Sequence, residues 1–189
     1  MVTELRIYFE GDVRLRPGFR KFFDEIYQGA RAIRCRVELI ATDGTPVQDF
    51  LNALKTHPDA WNVLLLDSDG PINSTREELC LRKGLPSSMS DSIFWMVQIM
   101  ESWFLTDVEG LRDYFRGRFH ESATRGNPNV EEILKVDVIS RLHKAASGNY
   151  QKVRDGVNLL SIVDKDKVRK SAPNCERMFS TVLARLPAE

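Results

Sequence analysis

The sequence predicts an α/β fold, a compact parallel sheet flanked by helices, with a helical C-terminal extension. Three observations predict it. Short β-rich runs alternate with stretches whose apolar residues recur at helical spacing, the order that yields parallel strand pairs joined by helical crossovers. One run, Asn62–Leu66, is aliphatic from Val63 onward and ends at Asp67, the pattern of a central strand covered on both faces. The second half of the chain keeps helical spacing but has little strand character.

Taken in order, Glu4–Phe9 alternates and is rich in β-formers, and Glu10-Gly11 breaks the run. From Gly18 to Ala30 the apolar residues Phe19, Phe22, Phe23 and Ile26 fall at helical spacing, giving strand, loop, helix. Arg36–Ala41 reads as the second strand. Pro46–Lys55 places Val47, Phe50, Leu51 and Leu54 on one helical face. After a Gly-, Pro- and Ser-rich loop, Gly84–Ser92, the apolar segment Ile93–Met100 reads as a further buried strand, although a helix running on to Leu105 fits nearly as well. Helical stretches follow near Val108–Phe115, Val136–Ala146, Val157–Val163 and Pro173–Leu186, and Gly126-Asn127-Pro128-Asn129 is the clearest turn among them.

A chain of 189 residues suits one core, so residues 1–189 are expected to form a single domain. Residues 1–107 would be its α/β core and 108–189 its mainly helical extension. With 42% hydrophobic and 29% charged residues the composition is that of a folded protein rather than a disordered one. Basic and acidic residues balance at 27 each, which excludes the strong overall positive charge of a dedicated nucleic-acid binder and leaves room only for local basic patches. Cys35, Cys80 and Cys175 are odd in number and form no CxxC pair, so they read as reduced thiols of a cytoplasmic protein without a zinc framework. No apolar run is long enough to span a bilayer, and no membrane association is expected.

In open parallel sheets ligands sit beyond the carboxyl ends of the strands, so charged residues that terminate buried strands are the first candidates for chemistry. Glu10 ends the first strand and Asp67 the aliphatic one, with Asp69 two residues on and Gly70-Pro71 forcing a turn. If the chain stays extended across Ser68, the two aspartates face the same side. Magnesium takes hard oxygen ligands, usually one or two carboxylates completed by water and phosphate, and Glu10, Asp67 and Asp69 would suffice to bind it. The alternative is plain strand-end turn chemistry, in which Asp and Gly are favoured for backbone reasons. Glu101 either projects toward the same cluster or simply opens a helix from Ser102. Arg16 and Arg20 would face a phosphate drawn to the metal, or else form a solvated helix face, and Lys152 is a further basic point in a polar segment. The three histidines show no metal-ligand spacing, and no GxxxxGK[ST] or GxGxxG motif is present.

Glu10-Gly11 with Arg16-Pro17-Gly18-Phe19-Arg20-Lys21-Phe22, Leu66-Asp67-Ser68-Asp69-Gly70-Pro71, Met96–Leu105, Asn127–Glu132 and Ala172-Pro173-Asn174 together resemble a bacterial family of domains of unknown function, number 4276, which is regarded as Toprim-like and related to OLD-type and RloB-like nuclease subunits. The resemblance implies a Toprim-like fold in which Glu10 is a general acid or base and metal ligand while Asp67 and Asp69 bind Mg²⁺, or Mn²⁺ in its place. Glu101 matches a family position of unclear role, and Lys152 falls where relatives place a Tyr-Xaa-Lys. Where relatives often have a glutamate, Asp69 offers a shorter ligand, and Arg154-Asp155 departs from their pattern after Lys152. The expected function is then Mg²⁺-dependent hydrolysis of DNA or RNA, as a subunit of a phage-defence system with an AAA-type ATPase partner. The rival expectation is a non-catalytic interaction module docking on such an ATPase; a weaker third is a phosphatase of small phosphate esters.

Overall fold

The computed structural model describes residues 2–124, 126 and 128–186. Four strands, β1 (Glu4–Glu10), β2 (Arg36–Thr42), β3 (Trp61–Asp67) and β4 (Ile93–Met96), form one parallel sheet in the order β2-β1-β3-β4. Helices α1 (Arg16–Phe22) and α2 (Asp24–Ala32) join β1 to β2, α3 (Pro46–Thr56) joins β2 to β3, and α4 (Arg76–Arg82) joins β3 to β4. The predicted α/β class and the first three strands are therefore found. The single helix expected over Gly18–Ala30 is broken into two at Phe23. Two helices carried too little apolar periodicity to be read, α4 and, in the second half, α8 (Lys165–Ser171). The first is announced by a capping box in which Thr75 and Glu78 exchange hydrogen bonds of 3.2 and 2.9 Å.

Period-two alternation sorts the sheet residues onto two faces. Leu5, Ile7, Phe9, Val63, Leu65, Phe94 and Met96 join the larger core with α1 and α2, whereas Tyr8, Leu64, Leu66, Ile93 and Trp95 pack with α3 and α4. The chain leaves β1 toward β2 on one side and β3 toward β4 on the other. The carboxyl ends of these adjacent strands are thus a topological switch point, where such sheets leave an open crevice.

Beyond β4 lie α5 (Val108–Phe115), α6 (Lys135–Ala145), α7 (Lys152–Ile162), α8 and α9 (Pro173–Ala184), with no further strand among the described residues. Their buried side chains, Leu111, Leu142, Leu160, Val168 and Phe179 among them, belong to the larger core. The strand expected over Ile93–Met100 ends at Met96. Gln98 adopts φ +64°, and Met100–Thr106 winds into a 3-10 helix. Trp103 of that helix stacks on Phe22 at 4.9 Å and meets Phe19 edge-on at 6.5 Å, while Phe22 also abuts Phe179. Each buried ring contributes about 1.5–3 kcal/mol through area removed from water, and together they hold the 3-10 segment against α1.

The expected turn at Gly126–Asn129 includes Asn127, which lies outside the described residues. The flanking motifs meet each other. Glu131 accepts hydrogen bonds from the backbone N–H of Asn174 at 2.7 Å and from its side-chain amide at 2.8 Å. A buried carboxylate thus satisfies N–H groups that the first turn of α9 would otherwise leave unpaired. Glu131→Ala should cost about 1–2 kcal/mol, read as a lower urea midpoint with an unchanged m-value.

Candidate metal centre

Glu10 and Asp67 are the last residues of β1 and β3, so the parallel register brings both to the same end of the sheet. Gly11 then takes φ +142°, a backbone region that needs glycine, and a Cβ there would lie 3.0 Å from Leu15. This sharp exit turns the chain away from the sheet and leaves a cleft of about 370 Å³. Glu10, Asp43, Asp67, Glu101 and Lys152 line it, so the carboxyl ends of β1, β2 and β3 converge with two residues from beyond β4.

The hydrogen bonds give each carboxylate a different standing. Glu10 accepts from the backbone N–H of Asp67 at 3.1 Å, tying β1 to β3 beyond their last ladder pair. Asp67 accepts from the N–H of Met100 at 3.0 Å, which fixes the start of the 3-10 helix against the strand end. Glu101, the next residue, is wholly buried, and neither of its carboxylate oxygens has a hydrogen-bond partner. The nearest cation is the Lys152 ammonium, 3.4 Å away on a largely exposed side chain. Both expectations for Glu101 hold: it stands in the first turn of the 3-10 helix, and it lines the cleft with the other carboxylates. Tyr150 stands close by, its hydroxyl buried and unpartnered, and burial together with the Glu101 charge pushes its ionisation upward.

These groups repel one another. Burial first, then the charges of Glu101 and Glu10, push the Asp67 carboxyl up to about 8, and neither Lys152 nor the Met100 N–H offsets them. A buried carboxylate without hydrogen bonds beside a second one that resists ionising is an electrostatic deficit that a divalent cation would fill. Among the described residues no group of three or more His, Cys, Asp or Glu side chains stands arranged to hold a metal ion. Magnesium needs only one or two carboxylates, and Asp67 and Glu101, with Glu10 beside them, are the residues whose chemistry fits.

Asp69 departs from the expected arrangement. The chain does not remain extended across Ser68: Asp69 has φ +59°, its N–H bonds to the carbonyl of Gln98 at 3.0 Å, and its side chain leaves the cleft. There it forms ion pairs with Lys135 at 2.7 Å and Lys83 at 3.2 Å. Burial pulls its carboxyl upward, but the two ammonium groups outweigh burial and hold it below the usual range. Lys135 had no sequence signal, since the pair spans 66 positions.

Arg16 and Arg20 do not reach the carboxylates either. Gly18, Phe19 and Phe22 form the buried face of α1, and residues four apart on the opposite face stay in solvent. Arg20 lies instead over the Tyr27 ring at 4.4 Å, and Arg16 acts on the same tyrosine. The motif they belong to has a packing role. A Cβ on Gly18 would sit 2.7 Å from the Val157 carbonyl, so glycine lets α1 and α7 touch, and Gly156 makes the reciprocal approach to Leu15. That contact seats α7, whose first residue is Lys152, over the cleft. Asp155 on the same turn is buried and fully bonded, by the Tyr114 hydroxyl, the Gln151 N–H and Arg154.

Comparisons with known proteins agree with this architecture. The family model described as "Domain of unknown function (DUF4276)" matches residues 15–183, leaving Glu10 just outside the match. No curated protein matches the chain. Among solved structures, the C-terminal region of the Burkholderia pseudomallei OLD protein superposes with a TM-score of 0.60 at 12% identity, covering 97% of this chain and 98% of that one. The expected α/β fold, a parallel sheet flanked by helices, is thereby borne out and is shared with that region. Among the described residues no helix is long and apolar enough to cross a membrane.

Proposed function

From the membership of this chain in the DUF4276 family, and from the unmatched carboxylates at its switch point, we propose that it is a Mg²⁺-dependent nuclease of the Toprim-like class. The observation that carries this reading is Glu101, fully buried with neither oxygen hydrogen-bonded and only the exposed Lys152 ammonium at 3.4 Å, beside an Asp67 whose carboxyl is pushed up to about 8. An acidic pocket this poorly neutralised is suited to a hard divalent cation, Mg²⁺ or Mn²⁺.

In this reading Asp67 and Glu101 hold the cation, and Glu10, fixed by the Asp67 N–H, shares it or moves the proton of the attacking water. A bound cation polarises the scissile phosphate and eases ionisation of water. Lys152 moves from Glu101 to a phosphate oxygen as substrate enters. Asp69 keeps Lys83 and Lys135 at the rim, where their ammonium groups meet the approaching backbone of DNA or RNA. A zero net charge suits a subunit whose overall affinity comes from elsewhere, and the solved relative is itself a region of a longer protein. An AAA-type ATPase partner and a place in phage defence are the extension of this reading.

One observation favours the rival. The internal lysines already pair with Asp69 and Glu101, as a non-catalytic module docking on an ATPase would need to keep the acidic cluster without metal. Cleavage of labelled plasmid, single-stranded DNA and RNA separates the two: hydrolysis in Mg²⁺ or Mn²⁺ that stops in EDTA supports the nuclease, and none under any condition, with a candidate ATPase present, leaves the module.

The Asp67 proton gives a further expectation. Below pH 8 a cation must displace it, so Mg²⁺ affinity should rise about tenfold per pH unit up to about pH 8 and then level off. Calorimetry in buffers of different ionisation enthalpy would show about one proton released per ion below that point. A flat profile would remove Asp67 from the ligand set.

A further inference from the structure

At the other end of the sheet lies a hollow of about 600 Å³, lined by Arg20 of α1, Tyr27 and Arg31 of α2, Arg34 just after it, and Arg36 at the start of β2. Charge is unevenly neutralised around it. Arg6 and Arg36 share the carboxylates of Glu4 and Glu38. Among the described residues no carboxylate lies within ion-pair distance of Arg20, Arg31 or Arg34, and Arg20 is instead spread over the Tyr27 ring. Arg34 occupies a position that the backbone reserves for another residue. The Cys35 N–H bonds to the Ala30 carbonyl and the Arg34 N–H to that of Arg31, closing α2 with Arg34 at φ +58°, where glycine is the usual choice.

We propose that this hollow binds the phosphodiester backbone of a nucleic-acid strand, away from the acidic cleft. Guanidinium groups bind phosphate through paired N–H donors, and the three here without a carboxylate partner are spread over α1, α2 and the turn that follows α2, which suits successive phosphates rather than one anion. The Arg20–Tyr27 stack presents a flat surface of the kind on which unpaired bases lie. A lipid surface is disfavoured, because none of the exposed large apolar residues, Val13, Leu81, Leu134, Val136 and Ile162, lines the hollow. The seven residues of β2 separate it from the cleft end by about 20 Å. A zero net charge is thus compatible with strand binding, because the positive charge is gathered at one place. The inference deepens the nuclease reading by giving the substrate strand a second point of attachment.

The test is fluorescence anisotropy of a labelled 20-nucleotide single strand in EDTA, comparing the full chain with the double variant Arg31→Ala, Arg34→Gly. Alanine suits the helix and glycine relieves the positive φ, so the variant should fold at least as well as the parent. Affinity should fall about tenfold, and the slope of log K against log salt should shrink by about 1.4, two phosphate contacts on a single strand. An unchanged slope overturns the proposal, as does tripolyphosphate binding that is lost in the variant while DNA binding is not. Because no metal is present, the outcome is independent of cleavage. A chain that cleaves but binds identically in both forms refutes the hollow alone, and one that binds through these arginines without cleaving refutes the nuclease alone.

Discussion

Asp67→Asn is expected to lower metal-dependent cleavage by about 10³-fold, because it removes the carboxylate at the centre of the acidic cluster, and yet to leave the metal-free protein as stable or more so. The amide oxygen can keep the bond from the Met100 N–H, so the fold loses no partner. Its stability effect is set by protons. The carboxyl ionises near 3.8 on the unfolded chain and at about 8 on the folded one. Between these values the folded chain holds a proton that the unfolded chain has released, so the stabilisation is complete below pH 3.8 and is lost progressively as pH rises to about 8. Asparagine carries no such proton. The variant should therefore melt closest to the parent at pH 4 and below, and the gap should widen with rising pH until about pH 8, above which the parent carries a charge beside Glu101 and Glu10 and the variant does not. Mg²⁺ at pH 8 should raise the parent's melting temperature and not the variant's. Parallel melting curves across pH, or retained cleavage, would remove Asp67 from the centre of the site.

The elements that place the site were legible wherever one physical signal dominated. A buried aliphatic run ending in an aspartate located β3 and Asp67, and alternation ending in Glu-Gly located β1 and Glu10, because burial imposes those patterns directly. Asp69 was misplaced because period-two reasoning holds only while the backbone stays extended, and its positive φ ends that at once. The Ile93–Met100 run could not be divided by hydropathy: its residues are buried whether in strand or 3-10 helix, and the backbone changes direction without any change in polarity. Helical spacing placed Arg16 and Arg20 opposite the residues that bury α1, so the argument that found the helix also held the evidence against their facing the carboxylates. Tyr150 reaches the site, and Lys135 the displaced Asp69, through tertiary packing of the second half, where local sequence carries no information about which strand end a helix will cover.

Gly18→Ala should destabilise the chain by about 2 kcal/mol, which at this length lowers the melting temperature by about 4–8 °C. The added methyl would lie 2.7 Å from the Val157 carbonyl oxygen and 2.8 Å from the Leu160 Cβ, neither of which is the yielding end of a flexible side chain. The helices must separate, and the shift reaches Lys152 at the start of α7. Cleavage should therefore weaken even at temperatures where the variant is fully folded, through displacement of the ammonium that faces Glu101. Gly29→Ala is the matched control. It also lies inside a helix, α2, but its Cβ would meet nothing nearer than Leu183 at 3.5 Å, an ordinary contact. There the gain in helix propensity, up to about 1 kcal/mol, should raise the melting temperature. Opposite signs for the same substitution in two helices would establish that the α1–α7 contact, rather than backbone entropy, requires glycine at position 18. Equal and small effects would mean that α7 is free to relax and that the position of Lys152 is not set by that crossing.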